Sequence, residues 1–184
     1  TRWVGCQPAI TPRIYYANHS SHLDVLVIWS GLPPLMRHFV HPVAAKDYWN
    51  GTPFRRYLVN KVFRAVLVDR KGDKPAKESV LEPLEAVLAA NHSLILFPEG
   101  TRGDGEELGS FKSGIYHLAK KYPNVEVVPV YLENLNRVLP KGTKLVVPVI
   151  CSATVGKPLS PLTEDENKAD FLQRAKVALE EMMP

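Results

Sequence analysis

A chain of 184 residues, 45% hydrophobic and 23% charged, has an ordinary globular composition and is long enough to bury a sizeable core. Its 23 basic and 19 acidic residues leave a net charge of +4, which admits an anionic partner (phosphate, phospholipid headgroup, coenzyme A or nucleic acid) without choosing among them. No 18-residue apolar window is present to span a membrane, and two distant cysteines, Cys6 and Cys151, exclude a disulfide framework or a cysteine zinc site and favour a reducing compartment.

The first predicted element is a short strand, Arg13 to Ala17, running into a polar loop at Asn18-His19. The apolar run Leu23 to Trp29 predicts a helix stopped by Gly31 and Pro33-Pro34. His38 to Ala44 follows as a strand, which Pro42 argues against placing centrally. Pro53 to Val62 suits a helix with proline at its first position. Ala65 to Val68 has the β-branched character of a buried strand and ends on Asp69-Arg70. Beyond a polar turn at Lys71 to Lys74, the spacing of Val80, Leu81, Leu84, Val87 and Leu88 predicts a helix that Pro83 kinks or starts. Leu94 to Phe97 is a buried-type strand, and Pro98 to Ser110 is glycine-rich and irregular. A helix is predicted over Lys112 to Lys121, then strands at Glu126 to Leu132 and Leu145 to Ile150. A final helix over Asp165 to Met182 packs through Phe171, Leu172, Ala175, Leu179 and Met182. This alternation predicts an α/β single-domain sandwich whose mixed, largely parallel central sheet is flanked by helices. Sites in such folds gather where strands end, and His19 and Glu99 both follow strands.

The stretch Asn18-His-Ser-Ser-His-Leu-Asp24 places a histidine and an aspartate five residues apart. On one continuous helix that spacing separates two side chains by roughly 140°, so they meet only if His19 lies in the entering loop and Asp24 in the first turn. A carboxylate on one imidazole nitrogen fixes the tautomer and stabilises the imidazolium, which makes a general base of the other nitrogen. Ser21-x-x-Asp24 before an apolar run also fits an ordinary capping box, and the two interpretations are compatible. In the second stretch, Phe97-Pro-Glu-Gly-Thr-Arg102, Gly100 lets backbone approach a ligand and Arg102 suits a phosphate or carboxylate. Glu99 suits a sugar-like hydroxyl, a cation or the orientation of a neighbouring base. A plain surface turn with a Glu99–Arg102 contact is the alternative.

Together, in this order, the two stretches resemble the glycerolipid acyltransferases, the lysophosphatidic-acid and glycerol-3-phosphate acyltransferase superfamily. Ala65 to Arg70, Val128-Pro129-Val130, Ala45-Lys46 and Phe111-Lys112-x-Gly114 extend the resemblance over roughly residues 13 to 135. Two positions depart from it: Arg64 stands where the second block usually opens with glycine, and Gly103 replaces the serine often found after Thr-Arg.

The resemblance implies O-acyl transfer from acyl-CoA or an acyl carrier protein to a lysophospholipid hydroxyl, most simply that of 1-acylglycerol-3-phosphate. His19 would be the base and Asp24 its partner. Arg70 and Arg102 would hold the acceptor's phosphate, with Glu99 and Thr101 near its glycerol and Lys112 a weaker phosphate candidate. Backbone amides around Gly100, or the ammonium of Lys46, would meet the oxyanion. No metal or bound cofactor is expected, because the histidines lack metal-ligand spacing. The expected partners are the acyl thioester, the lysophospholipid and an anionic membrane surface, with no nucleic acid. The expected location is the cytoplasmic face of the membrane, as a peripheral protein. The chain opens on Thr1 rather than methionine, so residues 1–184 are expected to be one acyltransferase domain cut from a longer, membrane-associated chain.

Two other functions compete. A serine hydrolase or thioesterase would use Ser20 or Ser21 beside His19, but neither lies in a Gly-x-Ser-x-Gly elbow. A non-catalytic lipid- or nucleic-acid-binding module would use the basic surface, and Arg55, Arg56, Lys61 and Arg64, interleaved with Phe54, Tyr57 and Phe63, suit an anionic bilayer as well as a solvated helix. Trp3, Trp29 and Trp49 suit a core or a membrane interface rather than a stacking platform.

Overall fold

The computed structural model describes residues 1–21, 23–49, 51–69, 77–103, 105, 107–135 and 151–183. The predicted strand at 145–150, the predicted polar turn at 71–74 and the candidate residue Arg70 lie outside them. The strands are β1 (Arg2–Trp3), β2 (Arg13–Ala17), β3 (Val40–Ala45), β4 (Val66–Val68), β5 (Ser93–Leu96), β6 (Glu126–Glu133) and β7 (Ser152–Val155). They form one sheet in the order β1-β7-β6-β2-β5-β3-β4, in which every pair is parallel except β6 with β7. The predicted mixed, largely parallel sheet is thus borne out.

The helices are α1 (Asp24–Ser30), α2 (Lys46–Trp49), α3 (Pro53–Tyr57), α4 (Lys77–Ala89), α5 (Gly114–Lys121) and α6 (Lys168–Glu180). Strand pleating sends alternate residues to opposite faces. Ile14, Tyr16, Leu94 and Leu96 join α4, α5 and α6 in one core, where Phe171, Ala175 and Leu179 of α6 are buried as predicted. Tyr15, Ala17, Ile95 and Val128 face α1 and Leu32 to Met36 in the other. Asn167 caps α6, its side-chain oxygen accepting from the amides of Ala169 and Asp170.

Three sequence expectations are corrected. Pro42 sits in an interior strand: β3 lies between β5 and β4, but its pairing with β4 begins only at Val43, so the missing N–H at Pro42 breaks no position of that ladder. Of the two roles given to Pro83, the helix start is excluded, because α4 begins at Lys77 and passes through it. The helix predicted over Pro53 to Val62 starts as expected, with Thr52 capping and Pro53 at the first position, but widens into a π-turn over Leu58–Val62, where the Phe63 amide donates to the Leu58 carbonyl.

That π-turn delivers Arg64 at φ +48°, the left-handed region that disfavours a side chain. A glycine at this point of the resembled family's second block would adopt the same conformation without strain. Here the Arg64 carbonyl accepts a hydrogen bond from His41 Nδ1 at 2.7 Å. A carbonyl cannot donate, so Nδ1 carries the proton, and Nε2 of the neutral ring accepts from His92 Nδ1 at 2.8 Å. Burial holds His41 below the ordinary histidine value of 6.5; the carbonyl bond opposes this, and the charges of His92 and Arg64 add to it. As pH falls, the unfolded chain therefore takes up this proton before the folded one. Stability is intact above pH 6.5 and declines as pH falls through that value. Thermal melts between pH 7 and 5 are expected to drop more steeply for the wild type than for His41→Gln.

Candidate active site

The site is built where β2 and β5 end. These strands pair in parallel, Tyr16 opposite Leu96, so the loops that follow them emerge side by side although His19 and Glu99 are 80 residues apart. The connection from β2 leads past β5 to β3, and that from β5 leads past β2 to β6. The two loops diverge there and leave a crevice, the usual place for a site in an open parallel sheet.

Helix α1 begins at Asp24, so His19 lies in the entering loop and Asp24 in the first turn. His19 Nδ1 is 2.8 Å from Asp24 Oδ2. The same oxygen accepts from the amides of Ser20 and Ser21 at 2.8 and 2.9 Å. Asp24 is fully buried, and its Oδ1 has no partner among the described residues. The capping box is not formed: Leu23 holds the N-cap position without a side-chain cap bond, the carboxylate reaches back to loop amides ahead of the helix, and Ser21 Oγ accepts from Leu23 N at 3.3 Å. One oxygen of Asp24 thus holds both the loop and the imidazole.

The remaining groups of His19 are held by the second stretch. Its amide donates to Glu99 Oε1 at 2.9 Å, and its carbonyl accepts from the Gly103 amide at 2.8 Å. Its ring stacks on Phe97, centroids 4.3 Å apart. Asn18 continues the sheet beyond β2 by exchanging two side-chain hydrogen bonds with the backbone of Leu132. Neutral His19 carries its proton on Nδ1, because a carboxylate only accepts, and Nε2 is then the basic nitrogen.

Glu99 is buried, and its other oxygen accepts from the Gly109 amide at 3.0 Å. A Cβ at Gly109 would stand 2.9 Å from that oxygen, so only glycine lets the backbone approach this closely. Both oxygens of Glu99 thus engage backbone, which favours the orienting role over a grip on a substrate hydroxyl. Gly103 acts through its amide, and a Cβ there would meet only ordinary contacts, so the departure from serine leaves this geometry intact.

A cleft of about 700 Å³ opens beside His19. Val43, Ala44, Tyr48, Trp49, Val68 and Leu96 line it with apolar groups, and Asp69, Gly100, Thr101, Arg102 and Lys112 line it as well. Gly100 takes φ +71°, its amide donates to the Phe97 carbonyl, and the Lys112 side chain lies over it. Lys46 pairs with Asp69 at 3.0 Å. The Gly100 amide and the Lys46 ammonium, two of the oxyanion donors considered from sequence, therefore already have partners. Ser21 is buried with its hydroxyl engaged in the loop, and Ser20 is buried against a separate small void of about 10 Å³ rather than in the cleft wall. That counts against a serine nucleophile.

Sequence reasoning missed Phe97 as the support of the His19 ring, Asn18 as the stitch to β6, and the Gly103 and Gly109 amides. All four lie in or beside the two stretches, but nothing in their spacing announced these contacts. Among the described residues no group of three His, Cys, Asp or Glu side chains could hold a metal ion, and no helix is long and apolar enough to cross a membrane.

The profile of the family described as Acyltransferase matches residues 7–133. The 1-acyl-sn-glycerol-3-phosphate acyltransferase of Limnanthes alba is 33% identical over 159 residues, covering 85% of this chain and 52% of its own length. That of Cocos nucifera is 30% identical over 164 residues, covering 88% and 49%. The chain thus spans about half the length of the curated relatives it matches. A solved structure titled the 1-acyl-sn-glycerophosphate (LPA) acyltransferase, PlsC, from Thermotoga maritima shares the fold, with a TM-score of 0.73 at 22% identity over 99% of this chain and 72% of that one. On the family match and these identities, the chain belongs to the acyltransferase family.

Proposed function

We propose that this chain transfers a fatty acyl group from a thioester, acyl-CoA or acyl carrier protein, to the free hydroxyl of 1-acylglycerol-3-phosphate. The observation that carries the proposal is His19, tethered by Asp24 at 2.8 Å, at the wall of a largely apolar cleft that Arg102 and Lys112 also line. His19 Nε2 takes the hydroxyl proton as the acceptor oxygen forms its bond to the thioester carbonyl carbon. Asp24 stabilises the imidazolium. The tetrahedral intermediate collapses with cleavage of the C–S bond, and the leaving thiolate recovers the proton from His19. Arg102 and Lys112 receive the acceptor's phosphate, and the apolar walls receive its chain. Relatives named 1-acyl-sn-glycerol-3-phosphate acyltransferases support this acceptor.

The test is thiol release from palmitoyl-CoA, measured with and without lysophosphatidic acid. Release that depends on the acceptor is expected. Equal release without it would make the protein a thioesterase and overturn the proposal.

A further inference from the structure

We propose that the exposed face of residues 53–64 docks on an anionic lipid bilayer and sets the mouth of the cleft against it. The inference rests on the proposed lipid acceptor only in giving the docking its purpose; the surface stands on its own observations. Residues 48–68 contain four of the 23 basic residues (Arg55, Arg56, Lys61 and Arg64) and none of the 19 acidic ones. The rest of the chain, with 19 of each, is neutral. The net charge of this one segment thus equals that of the whole chain.

Helix α3 and its π-turn carry this charge on a fixed platform. Val59 and Phe63 are buried beneath, and Phe63 packs edge-on against Trp29 and Trp49. On the outer side Phe54 is 69% and Tyr57 60% exposed, beside Arg56 and Lys61. No carboxylate pairs with Arg56 or Lys61 among the described residues. The platform adjoins the cleft: Arg55 stacks on Tyr48 at 4.3 Å, and Tyr48 and Trp49 line the cleft wall. Aromatic side chains set among unpaired cations suit the headgroup boundary of an anionic membrane, where the rings enter and the cations meet phosphate. A soluble acidic protein would satisfy the cations but leave the two protruding rings without a groove.

The test is co-sedimentation of the chain, without acyl donor, with phosphatidylcholine vesicles that contain or lack phosphatidylglycerol. Binding to the anionic vesicles is expected, weakening with salt. Arg56→Gln/Lys61→Gln is expected to bind about thirty-fold more weakly, at roughly 1 kcal/mol per cation near such a surface. Phe54→Ser is expected to bind about ten-fold more weakly with the salt dependence kept. None of these residues lines the cleft, so turnover of a short-chain, monomeric lysophosphatidic acid is expected to match wild type, with circular dichroism melts confirming the fold. Wild-type sedimentation by the variants would overturn the proposal. So would charge-dependent retention of an acyl carrier protein without vesicle binding. Because the binding arm needs no turnover, failure of the proposed chemistry would leave its result interpretable.

Discussion

His19→Ala is expected to reduce acceptor-dependent thiol release by about 10²- to 10⁴-fold, the usual contribution of a positioned general base. The fold is expected to survive. The ring is partly exposed, and its loss removes one hydrogen bond to Asp24 and one stacking contact with Phe97. That costs about 1 kcal/mol, or about 2–4 °C in melting temperature for a chain of this size. Asp24→Asn separates charge from geometry. An asparagine oxygen can still accept the three N–H bonds now made to Oδ2, with its amide group placed where Oδ1 has no partner. A large loss of kcat is expected, because the imidazolium loses its counter-charge, together with a melting temperature lowered by the amide donors left without a partner, at about 1–3 kcal/mol. Residual turnover above about a tenth of wild type in His19→Ala would remove His19 from the role of base.

The second large effect is expected at Glu99. Glu99→Gln keeps the shape but turns one of two acceptor oxygens into a donor, which faces either the His19 or the Gly109 amide. A buried amide left without an acceptor costs about 1–3 kcal/mol, and a displaced His19 backbone shifts the base from its proton. We expect kcat to fall by about ten-fold or more while the KM for lysophosphatidic acid stays within about three-fold. The shape of the pH–rate profile is expected to be retained, because Asp24 still fixes the ring. A KM raised without loss of kcat would return Glu99 to the role of substrate ligand that its sequence neighbourhood also suggested. Glu99→Ala removes both acceptors and is expected to destabilise the loop as well.

These expectations separate what the two stretches promised from what they do. That His19 and Asp24 could meet only across a loop-to-helix junction follows from helix geometry, and the junction lies at Asp24, at the head of the apolar run rather than at a Ser21 cap. The largely parallel sheet followed from alternating apolar runs, and α6 from the spacing of Phe171, Ala175 and Leu179. Local sequence could reach these because each depends on chain periodicity or on contacts within a few residues.

Glu99 was legible as a functional residue but not as the partner of the His19 amide, since that bond spans 80 residues and exists only because β2 and β5 pair. Pro42 misled for the same reason: its own chemistry argues for an edge, and the register of β4 makes the interior tolerable. Arg64 departed from the glycine of the resembled family, yet its left-handed backbone and its bond to His41 belong to a turn whose width no periodicity reveals. Residue type and spacing thus determined the chemistry available to this protein: an imidazole, a carboxylate and a set of cations. Strand order and register decided which backbone groups hold them in place, because those contacts join chain segments that only the folded sheet makes neighbours.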